Sequence, residues 1–186
     1  MLKIDRISFS YDEKKIFENF SLYINQNDKI WLSGESGCGK TTLIRLILGL
    51  EQPQDGEIIK TEGLKPSVVF QENRLLPFKT ALQNIMLVSP DRQKAIDNLT
   101  ALGLGENLNT KVNELSGGMC RRVAIARALT ADFDYLILDE PFTGLDKENV
   151  ETAIKLILKT AENKPIILVT HSSLEAELLG AVEQKL

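Results

Sequence analysis

Residues 34–41 of the chain read Gly34-Glu35-Ser36-Gly37-Cys38-Gly39-Lys40-Thr41. The apolar run Lys29–Leu32 precedes this glycine-rich segment, and a helix-like run follows it. A strand, a glycine-rich loop and a helix in this order are the context of a phosphate-binding loop. Glycines let the backbone wrap an anion, Lys40 brings a cation to the β- and γ-phosphates, and the Thr41 hydroxyl can hold Mg²⁺. The segment therefore predicts binding of a nucleoside triphosphate rather than an ordinary turn before a core helix.

The bulk composition is that of a globular protein. The chain has 186 residues, and its 22 Lys and Arg against 26 Asp and Glu give a net charge of −4, which argues against nucleic-acid binding. No apolar run approaches the ~18 residues of a membrane span, and the N-terminus lacks the apolar region of a signal peptide. Two cysteines, Cys38 and Cys120, are too few for a disulfide scaffold. These features predict a cytoplasmic protein of one domain.

The N-terminal part predicts an antiparallel pair of strands. Residues 2–11 and Asn19–Asn25 alternate apolar and polar side chains, and the polar segment Asp12–Lys15 predicts the turn between them. Tyr11 ends the first strand. Its ring is either a stacking surface for a purine base or an aromatic side chain packed on the core.

Two further strands are predicted at residues 57–60 and 67–70, and Gln71 directly follows the second. Ligands of open α/β sheets lie at the carboxyl ends of the strands. Gln71 is therefore a candidate site residue, although a lone glutamine there is usually a solvated loop residue.

The middle of the chain predicts helices. Thr80 and Gln83 form a capping box for a helix that continues through Leu87. Ser89 as N-cap with Pro90 at the first helical position predicts the next helix. Residues of about 78–114 are thus expected to form a small helical subdomain set into an α/β frame.

A second junction of loop and helix lies at Leu115-Ser116-Gly117-Gly118. Ser116 is a good N-cap for a helix over residues 119–129, and the two glycines leave N–H groups open to an anion. From these residues alone, a second phosphate site and a simple helix cap both remain open.

Two apolar runs predict buried parallel strands that end in chemically useful side chains. Tyr135–Leu138 leads into Asp139 and Glu140, and residues 165–170 lead into His171, the only histidine. Two carboxylates at a buried strand end are costly to desolvate unless they are paired or bind metal. We expect Asp139 to hold Mg²⁺, Glu140 to accept a proton from an attacking water, and His171 to donate to the γ-phosphate, rather than simple solvated strand ends.

Together these motifs resemble the nucleotide-binding subunit of ATP-binding cassette (ABC) transporters, over essentially all 186 residues. In family order the matching pieces are Tyr11 (adenine-stacking loop), Gly34–Thr41 with Thr42 (Walker A), Gln71 (Q-loop), Leu115–Met119 (signature), Leu136–Glu140 (Walker B), Gly144-Leu145-Asp146 (D-loop) and His171 (switch). The resemblance implies a RecA-like α/β P-loop core of residues 1–77 and 115–186, an antiparallel β-subdomain and an inserted helical subdomain at about 78–114.

The resemblance also implies a mechanism. Two domains would form a head-to-tail dimer that holds ATP between Walker A of one and the signature of the other. Ser116, Gly117 and Gly118 would bind the γ-phosphate in trans beside Asp146 of the D-loop, and Lys40 would contact phosphates in cis. Glu140 would act as base and His171 would position the γ-phosphate. Thr41, Gln71 and Asp139 would hold Mg²⁺.

The implied partners are transmembrane transporter subunits, contacted through the segment Gln71–Thr80, and a second ATPase subunit, either a copy of this chain or an unlike cassette. Residues 70–80 look like the importers of nitrate, sulfonate and taurine type. The implied location is the inner face of the cell membrane, on its cytoplasmic side.

The sequence departs from the family at Met119, where glutamine is usual, so we expect weaker closure of the dimer. Cys38 and Cys120 adjoin nucleotide motifs, which leaves redox control and inert small residues as alternatives. A soluble ABC-type ATPase acting on nucleic acid or ribosomes is a second hypothesis, but the basic extensions or second cassette common in such proteins are absent from this sequence. A P-loop phosphotransferase or a regulator without turnover is a third, opposed by the signature and the Asp139-Glu140 pair.

Overall fold

The computed structural model describes residues 2–186, which form two β-sheets and six helices. The smaller sheet is antiparallel, in the order β2-β1-β4, with β1 at Leu2–Tyr11, β2 at Lys14–Ile24 and β4 at Asp55–Lys60. The predicted turn at Asp12–Lys15 is wrong at its end, because Lys14 already pairs with Tyr11. Register shifts within the β1–β2 pair interrupt the alternation on which that prediction relied.

The larger sheet has five parallel strands in the order β5-β6-β7-β3-β8. They are β3 at Lys29–Ser33, β5 at Pro66–Val69, β6 at Tyr135–Asp139, β7 at Ile166–Val169 and β8 at Val182–Lys185. Every residue of β6 and β7 is buried, as continuous apolar strands of a parallel sheet should be. The carboxyl ends of β3, β5, β6 and β7 therefore meet at one edge of the sheet.

Helices cover the larger sheet and divide the apolar core into two clusters. They are α1 at Lys40–Leu48, α2 at Ala81–Ile85, α3 at Arg92–Ala101, α4 at Gly117–Thr130, α5 at Lys147–Thr160 and α6 at Ser173–Leu179, with 3₁₀ turns at Gly105–Asn107 and Val112–Glu114. One cluster joins α1 to the antiparallel sheet, and the other joins α2, α3, α4 and α5. The predicted α/β architecture with an antiparallel sheet is confirmed.

The helix boundaries confirm some predictions and correct others. The capping box of Thr80 is present, but α2 ends at Ile85 instead of continuing through Leu87. The N-cap of α3 is Asp91, not Ser89, because the Asp91 carboxylate accepts from the backbone N–H of Lys94 at 2.9 Å. The Ser89 hydroxyl instead accepts from the backbone N–H of Asp91 at 3.2 Å, which forms the turn before the helix.

Across residues 2–186, no helix is both long and apolar enough to cross a membrane.

Candidate active site

The phosphate loop, residues 34–41, joins β3 to α1 and leaves the start of α1 open. Gly39 is the N-cap, with a φ of +112°, and has no side chain to occupy the first N–H groups of the helix. A Cβ at this position would lie 2.6 Å from Cγ2 of Ile16 and 2.9 Å from Cζ of Phe17. Only glycine fits here, so the uncapped donors and positive end of α1 remain available to an anion.

Lys40 is held across the mouth of this loop. Lys40 is 8% exposed, and its Nζ donates to the carbonyl oxygens of Gly34 at 2.7 Å and Glu35 at 2.9 Å. These two bonds close the loop around its own cation. An anion that enters the loop therefore meets Lys40 beside the N–H groups of α1.

A cavity of about 350 Å³ lies directly in front of the loop and brings together side chains from distant parts of the sequence. It is lined by Tyr11, Lys14, Ile16, Ser36, Gly37, Gly39, Lys40, Thr41, Thr42, Gln71, Asp139, Glu140, Val169 and His171. A ligand of nucleotide size fits a cavity of this volume. Most residues predicted for nucleotide, catalytic and metal contacts in cis thus face one space.

Glu140 and His171 lie next to each other at the ends of β6 and β7. The Oε1 atom of Glu140 is 3.5 Å from Nε2 of His171, and within residues 2–186 this buried oxygen accepts no hydrogen bond. Burial raises the pKa of the Glu140 carboxyl, an effect that His171 opposes and Glu175 adds to. A carboxylate of raised pKa with an unsatisfied oxygen is suited to accept a proton from water.

Asp139 provides the buried carboxylate at the same edge. It is 4% exposed, and burial raises the pKa of its carboxyl while the charges of Arg121 and Lys40 lower it. Thr41 and Gln71 line the cavity beside it. No group of three His, Cys, Asp or Glu side chains in residues 2–186 forms a metal cluster of its own. One carboxylate, one hydroxyl and one amide fit Mg²⁺, which is commonly held by few protein ligands together with phosphate oxygens.

The surroundings of Tyr11 are compatible with both interpretations of its ring, and its contact with a base stays a prediction. The ring packs edge-on against Phe9, with centroids 4.9 Å apart, and its hydroxyl is 3.5 Å from Oε1 of Glu51. Tyr11 is nevertheless 39% exposed and lines the cavity. One side of the ring is fixed by the core, and part of its surface remains free to contact a base.

The signature residues do not line this cavity, and Gly118 adjoins the D-loop. Ser116 caps α4, as predicted, by accepting from the N–H of Met119 at 3.2 Å. A Cβ on Gly118 would lie 3.2 Å from the carbonyl oxygen of Gly144. Asp146 caps α5, and its hydrogen bonds from Asn149 lower the pKa of its carboxyl. The start of α4 and the D-loop thus form a second surface, which is separate from the cavity.

The sulfur atoms of the two cysteines contact different partners rather than each other. The Sγ atom of Cys120 donates to the carbonyl oxygen of Val112 at 3.5 Å, and burial raises the pKa of its thiol. A thiol of raised pKa is a poor nucleophile. Cys38 Sγ lies 3.8 Å from Lys40 Nζ. The structure therefore favours the inert interpretation for Cys120.

Several residues of the site had no recognisable signal in the sequence. Lys14 and Ile16 reach the cavity because β2 starts earlier than predicted. Glu175, which accepts a hydrogen bond from the Thr170 hydroxyl, lies on α6, an element without a strong sequence pattern. Arg121 of α4 lies near the charges of Asp139 and Glu140, and nothing in the sequence marks it, since a charged residue on a helix is usually solvated.

Comparisons with known proteins agree on the family. The family model described as "ABC transporter" matches residues 17–143. An aliphatic sulfonates import ATP-binding protein of Paraburkholderia xenovorans is 41% identical, over 91% of this chain and 70% of the relative. A thiamine import ATP-binding protein of Haemophilus influenzae is 38% identical, over 90% of this chain and 86% of the relative.

Solved structures similar to this chain belong to the same family. The dimeric structure of the ABC transporter cassette MJ0796 has a TM-score of 0.85 and 28% identity, covering 100% of this chain and 94% of that one. The dimeric post-hydrolysis state of MJ0796 bound to ADP and Pi has a TM-score of 0.82 and 30% identity, covering 96% and 91%.

Proposed function

The chain belongs to the ABC transporter family and is an ATP-binding, ATP-hydrolysing subunit, and we propose that it powers import by a membrane transporter through ATP-driven closure of a dimer. The observation that carries the proposal is the single cavity that collects the phosphate loop, Gln71, Asp139, Glu140 and His171. Four strand ends, distant in sequence, supply these groups at one edge of the parallel sheet.

In the bound state the triphosphate lies in the phosphate loop, residues 34–41, with Thr42 beside it. The open N–H groups of α1 and the amine of Lys40 neutralise its charge, and Tyr11 stacks on the adenine. Thr41, Asp139 and Gln71 would hold Mg²⁺. When bound, the ion supplies charge neutralisation to the β- and γ-phosphates.

Hydrolysis uses the pair at the ends of β6 and β7. Glu140 accepts a proton from water as the water oxygen bonds to the γ-phosphorus, and the bond from that phosphorus to the bridging oxygen breaks to leave ADP and phosphate. His171 lies 3.5 Å from Glu140 and donates to the γ-phosphate. Its side chain is exposed and lines the cavity in front of the phosphate loop.

The signature surface completes the site in a second subunit. Ser116, Gly117 and Gly118 at the start of α4, with Asp146 nearby, bind the γ-phosphate held by the partner. This arrangement explains why these residues lie outside the cavity of their own chain. The dimeric assembly of the related cassette supports it. We propose a homodimer, and a pair with an unlike cassette is the alternative outcome.

The segment Gln71–Thr80 is the proposed contact with the transmembrane subunits. Phe78 is 81% exposed, and Leu76 is 46% exposed beside it. Large apolar side chains exposed together mark an interaction surface. This segment leads from β5 into the proposed helical subdomain, residues 78–114. At its start, Gln71 lines the nucleotide cavity. We propose that the subunit works on the inner face of the membrane, and its similarity to import ATP-binding proteins supports this location.

The dimer is tested by molar mass from light scattering of Glu140→Gln, which can bind ATP without hydrolysing it, with and without ATP. We expect the mass to double only with ATP, and a Lys40→Ala variant to remain monomeric. A monomer of Glu140→Gln under saturating ATP would contradict the homodimer and point to an unlike cassette or a membrane subunit required for assembly.

The membrane contact is tested by a photo-crosslinking residue at Phe78 in cells. We expect an adduct with an integral membrane protein, identified by mass spectrometry of its membrane-spanning peptides. The matched control is Leu174, which is 54% exposed on α6. Equal labelling of one membrane protein from both positions, or only soluble adducts from Phe78, would contradict the assigned surface.

A further inference from the structure

The segment between β5 and α2 begins with a loop that belongs to no helix or strand. This Gln71 loop, residues 70–75, starts inside the nucleotide cavity at Gln71 and ends just before the exposed residues Leu76 and Phe78. A loop without a ladder of backbone hydrogen bonds needs other donors for its carbonyl groups. The element that supplies those donors is the part of the fold to which the loop is attached and with which it moves.

Two arginines of α4 supply the donors. Nη1 and Nη2 of Arg121 donate to the carbonyl oxygens of Phe70 at 2.7 Å and Gln71 at 2.5 Å. Nη1 and Nη2 of Arg127 donate to the carbonyl oxygens of Arg74 at 2.7 Å and Asn73 at 3.0 Å. Each guanidinium thus binds two neighbouring carbonyls, as its planar fork allows.

Arg121 and Arg127 reach the loop from two directions. Six residues separate them, so their Cα atoms lie about 9 Å apart along the axis of α4 and about 120° apart around it. The loop between the two carbonyl pairs is bent, because Arg74 has a φ of +46°, and the two long side chains converge on it. The Arg74 guanidinium also lies 3.8 Å from the centroid of the Phe70 ring, so the two ends of the loop contact each other.

We propose that Arg121 and Arg127 are positioning residues for ATP hydrolysis, which fix the Gln71 loop to α4 so that Gln71 follows the signature helix. The proposal rests on the metal role proposed above for Gln71. Ser116 caps the same helix at its start. Five residues, or about 7.5 Å of helix, separate the Ser116 cap from Arg121. A displacement at the signature therefore reaches Gln71 through a rigid element and charge-assisted hydrogen bonds.

Both arginine side chains are largely removed from solvent. Arg121 is 5% exposed, and burial lowers its pKa while Asp139 and Glu140 raise it. Arg127 is half-buried, and burial lowers its pKa as well. A buried guanidinium costs stability unless its donors are satisfied. The carbonyl oxygens of the Gln71 loop accept hydrogen bonds from these donors. Because the carbonyl groups are neutral, the guanidinium groups keep their full positive charge while they hold the loop.

Arg127 provides the cleaner test, because Arg121 also faces the carboxylates of Asp139 and Glu140. The variant is Arg127→Met in the full chain, with Arg127→Lys as the conservative exchange. The matched control is Lys94→Met, since Lys94 Nζ donates at 3.0 Å to the carbonyl oxygen of Thr130 on the same helix but does not touch the loop. All are compared by hydrogen exchange without nucleotide and by steady-state ATPase activity over Mg²⁺ concentration.

In Arg127→Met we expect the amide of Leu76, whose N–H donates to Oδ1 of Asn84 at 2.8 Å at the end of the loop, to exchange about tenfold faster or more, because the loop that leads to it has lost charge-assisted hydrogen bonds. The Mg²⁺ concentration for half-maximal activity should rise by about three- to tenfold, with a smaller change in kcat, and Arg127→Lys should restore part of both. Lys94→Met should change neither. A purely structural role would instead accelerate exchange throughout the chain and leave the Mg²⁺ requirement unchanged, and that result would overturn the proposal.

A Gln71→Ala variant separates this proposal from the one on which it rests. A wild-type Mg²⁺ requirement in Gln71→Ala contradicts the proposed role of Gln71 itself. A raised requirement in Gln71→Ala, with wild-type loop exchange and Mg²⁺ requirement in Arg127→Met, contradicts the positioning role of the arginine alone.

Discussion

The chain contains two glycine-containing loops that lead into helices, and they differ in what occupies the helix start. At α1 the N-cap is Gly39, which has no side chain, and Lys40 adds a cation. At α4 the N-cap is Ser116, whose hydroxyl already accepts from Met119 in its own chain, and the first turn of α4 carries no cation. The first loop is open to an anion, and the second is partly satisfied.

This difference indicates a division of labour between binding and turnover. The phosphate loop has uncapped donors and a charge, so one chain should bind a triphosphate by itself. The start of α4 offers the remaining N–H groups of a capped helix. Such a surface adds hydrogen bonds to a triphosphate that the phosphate loop of the partner already holds. It should therefore matter for hydrolysis rather than for the initial binding of ATP.

The largest effect is expected at the phosphate loop. In Lys40→Ala we expect turnover to fall about 10³-fold and ATP affinity of the monomer about 10²-fold, since a fixed cation at the phosphates is removed. ATPase assays and isothermal titration measure the two quantities. Lys15→Ala, at a lysine paired with Glu18 on the surface, is the control. Unchanged affinity in Lys40→Ala would remove the basis of the comparison.

The second loop should respond differently. Ser116→Ala is expected to leave the ATP affinity of the monomer within about twofold and to lower turnover about 30-fold, by loss of one donor at the phosphate. Asp91→Ala removes the equivalent cap of α3 and should cost a similar ~1 kcal/mol of stability without that loss of turnover. Equal turnover in the two variants would mean that Ser116 is only a helix cap.

A smaller effect concerns the stability of the fold at the carboxylates. Burial raises the pKa of Glu140 above its ordinary value of 4.5. Between the two values the folded state keeps a proton that the unfolded state has released, so stability falls as pH rises through this window. Glu140→Gln removes this cost and should melt higher at pH 7 by about 2–4 °C, the shift that 1 kcal/mol produces in a domain of this size.

The pH dependence provides the check by differential scanning calorimetry. The difference between Glu140→Gln and the wild type should shrink as pH falls and vanish below 4.5, where the unfolded state also holds the proton. A difference that stays constant with pH would mean that the carboxylate charge is not its cause.

The smallest effect is expected at Met119, where the family usually has glutamine. Met119→Gln offers an amide to the partner's nucleotide and should raise turnover by about two- to fivefold, the gain of one exposed hydrogen bond. Met119 lies on α4 and is partly buried against the core, so the melting temperature of the variant must be measured alongside its turnover. A lower turnover at unchanged stability would show that methionine is the better residue at this position.

The sequence predicted the parallel core and the cis half of the site because their signals are local. Glycine spacing defines the phosphate loop, and continuous apolarity defines β6 and β7 with Asp139, Glu140 and His171 at their ends. In a parallel sheet such strand ends share one edge. The family resemblance then supplied the order of the motifs and the signature surface.

Other features depend on contacts between distant segments and left no local pattern. The start of β2 at Lys14 is set by pairing with Tyr11 and by bulges, and Asp91 replaces Ser89 as cap because both residues are good caps and only geometry selects one. Arg121 and Arg127 look like solvated helix residues until the Gln71 loop is placed against them. Their partners are backbone carbonyls, which are the same in every residue.

The strand order also has a consequence for how the protein is made. β3, which leads into the phosphate loop, has its neighbours in β7 and β8, and Lys29 pairs with Ile166. Pairing between such distant residues is slow to form because a long loop must close first. During synthesis the phosphate loop leaves the ribosome long before either neighbouring strand. A nascent chain therefore has no anchored site for ATP until β7 emerges, and nucleotide can stabilise only a chain that has been synthesised beyond Val169.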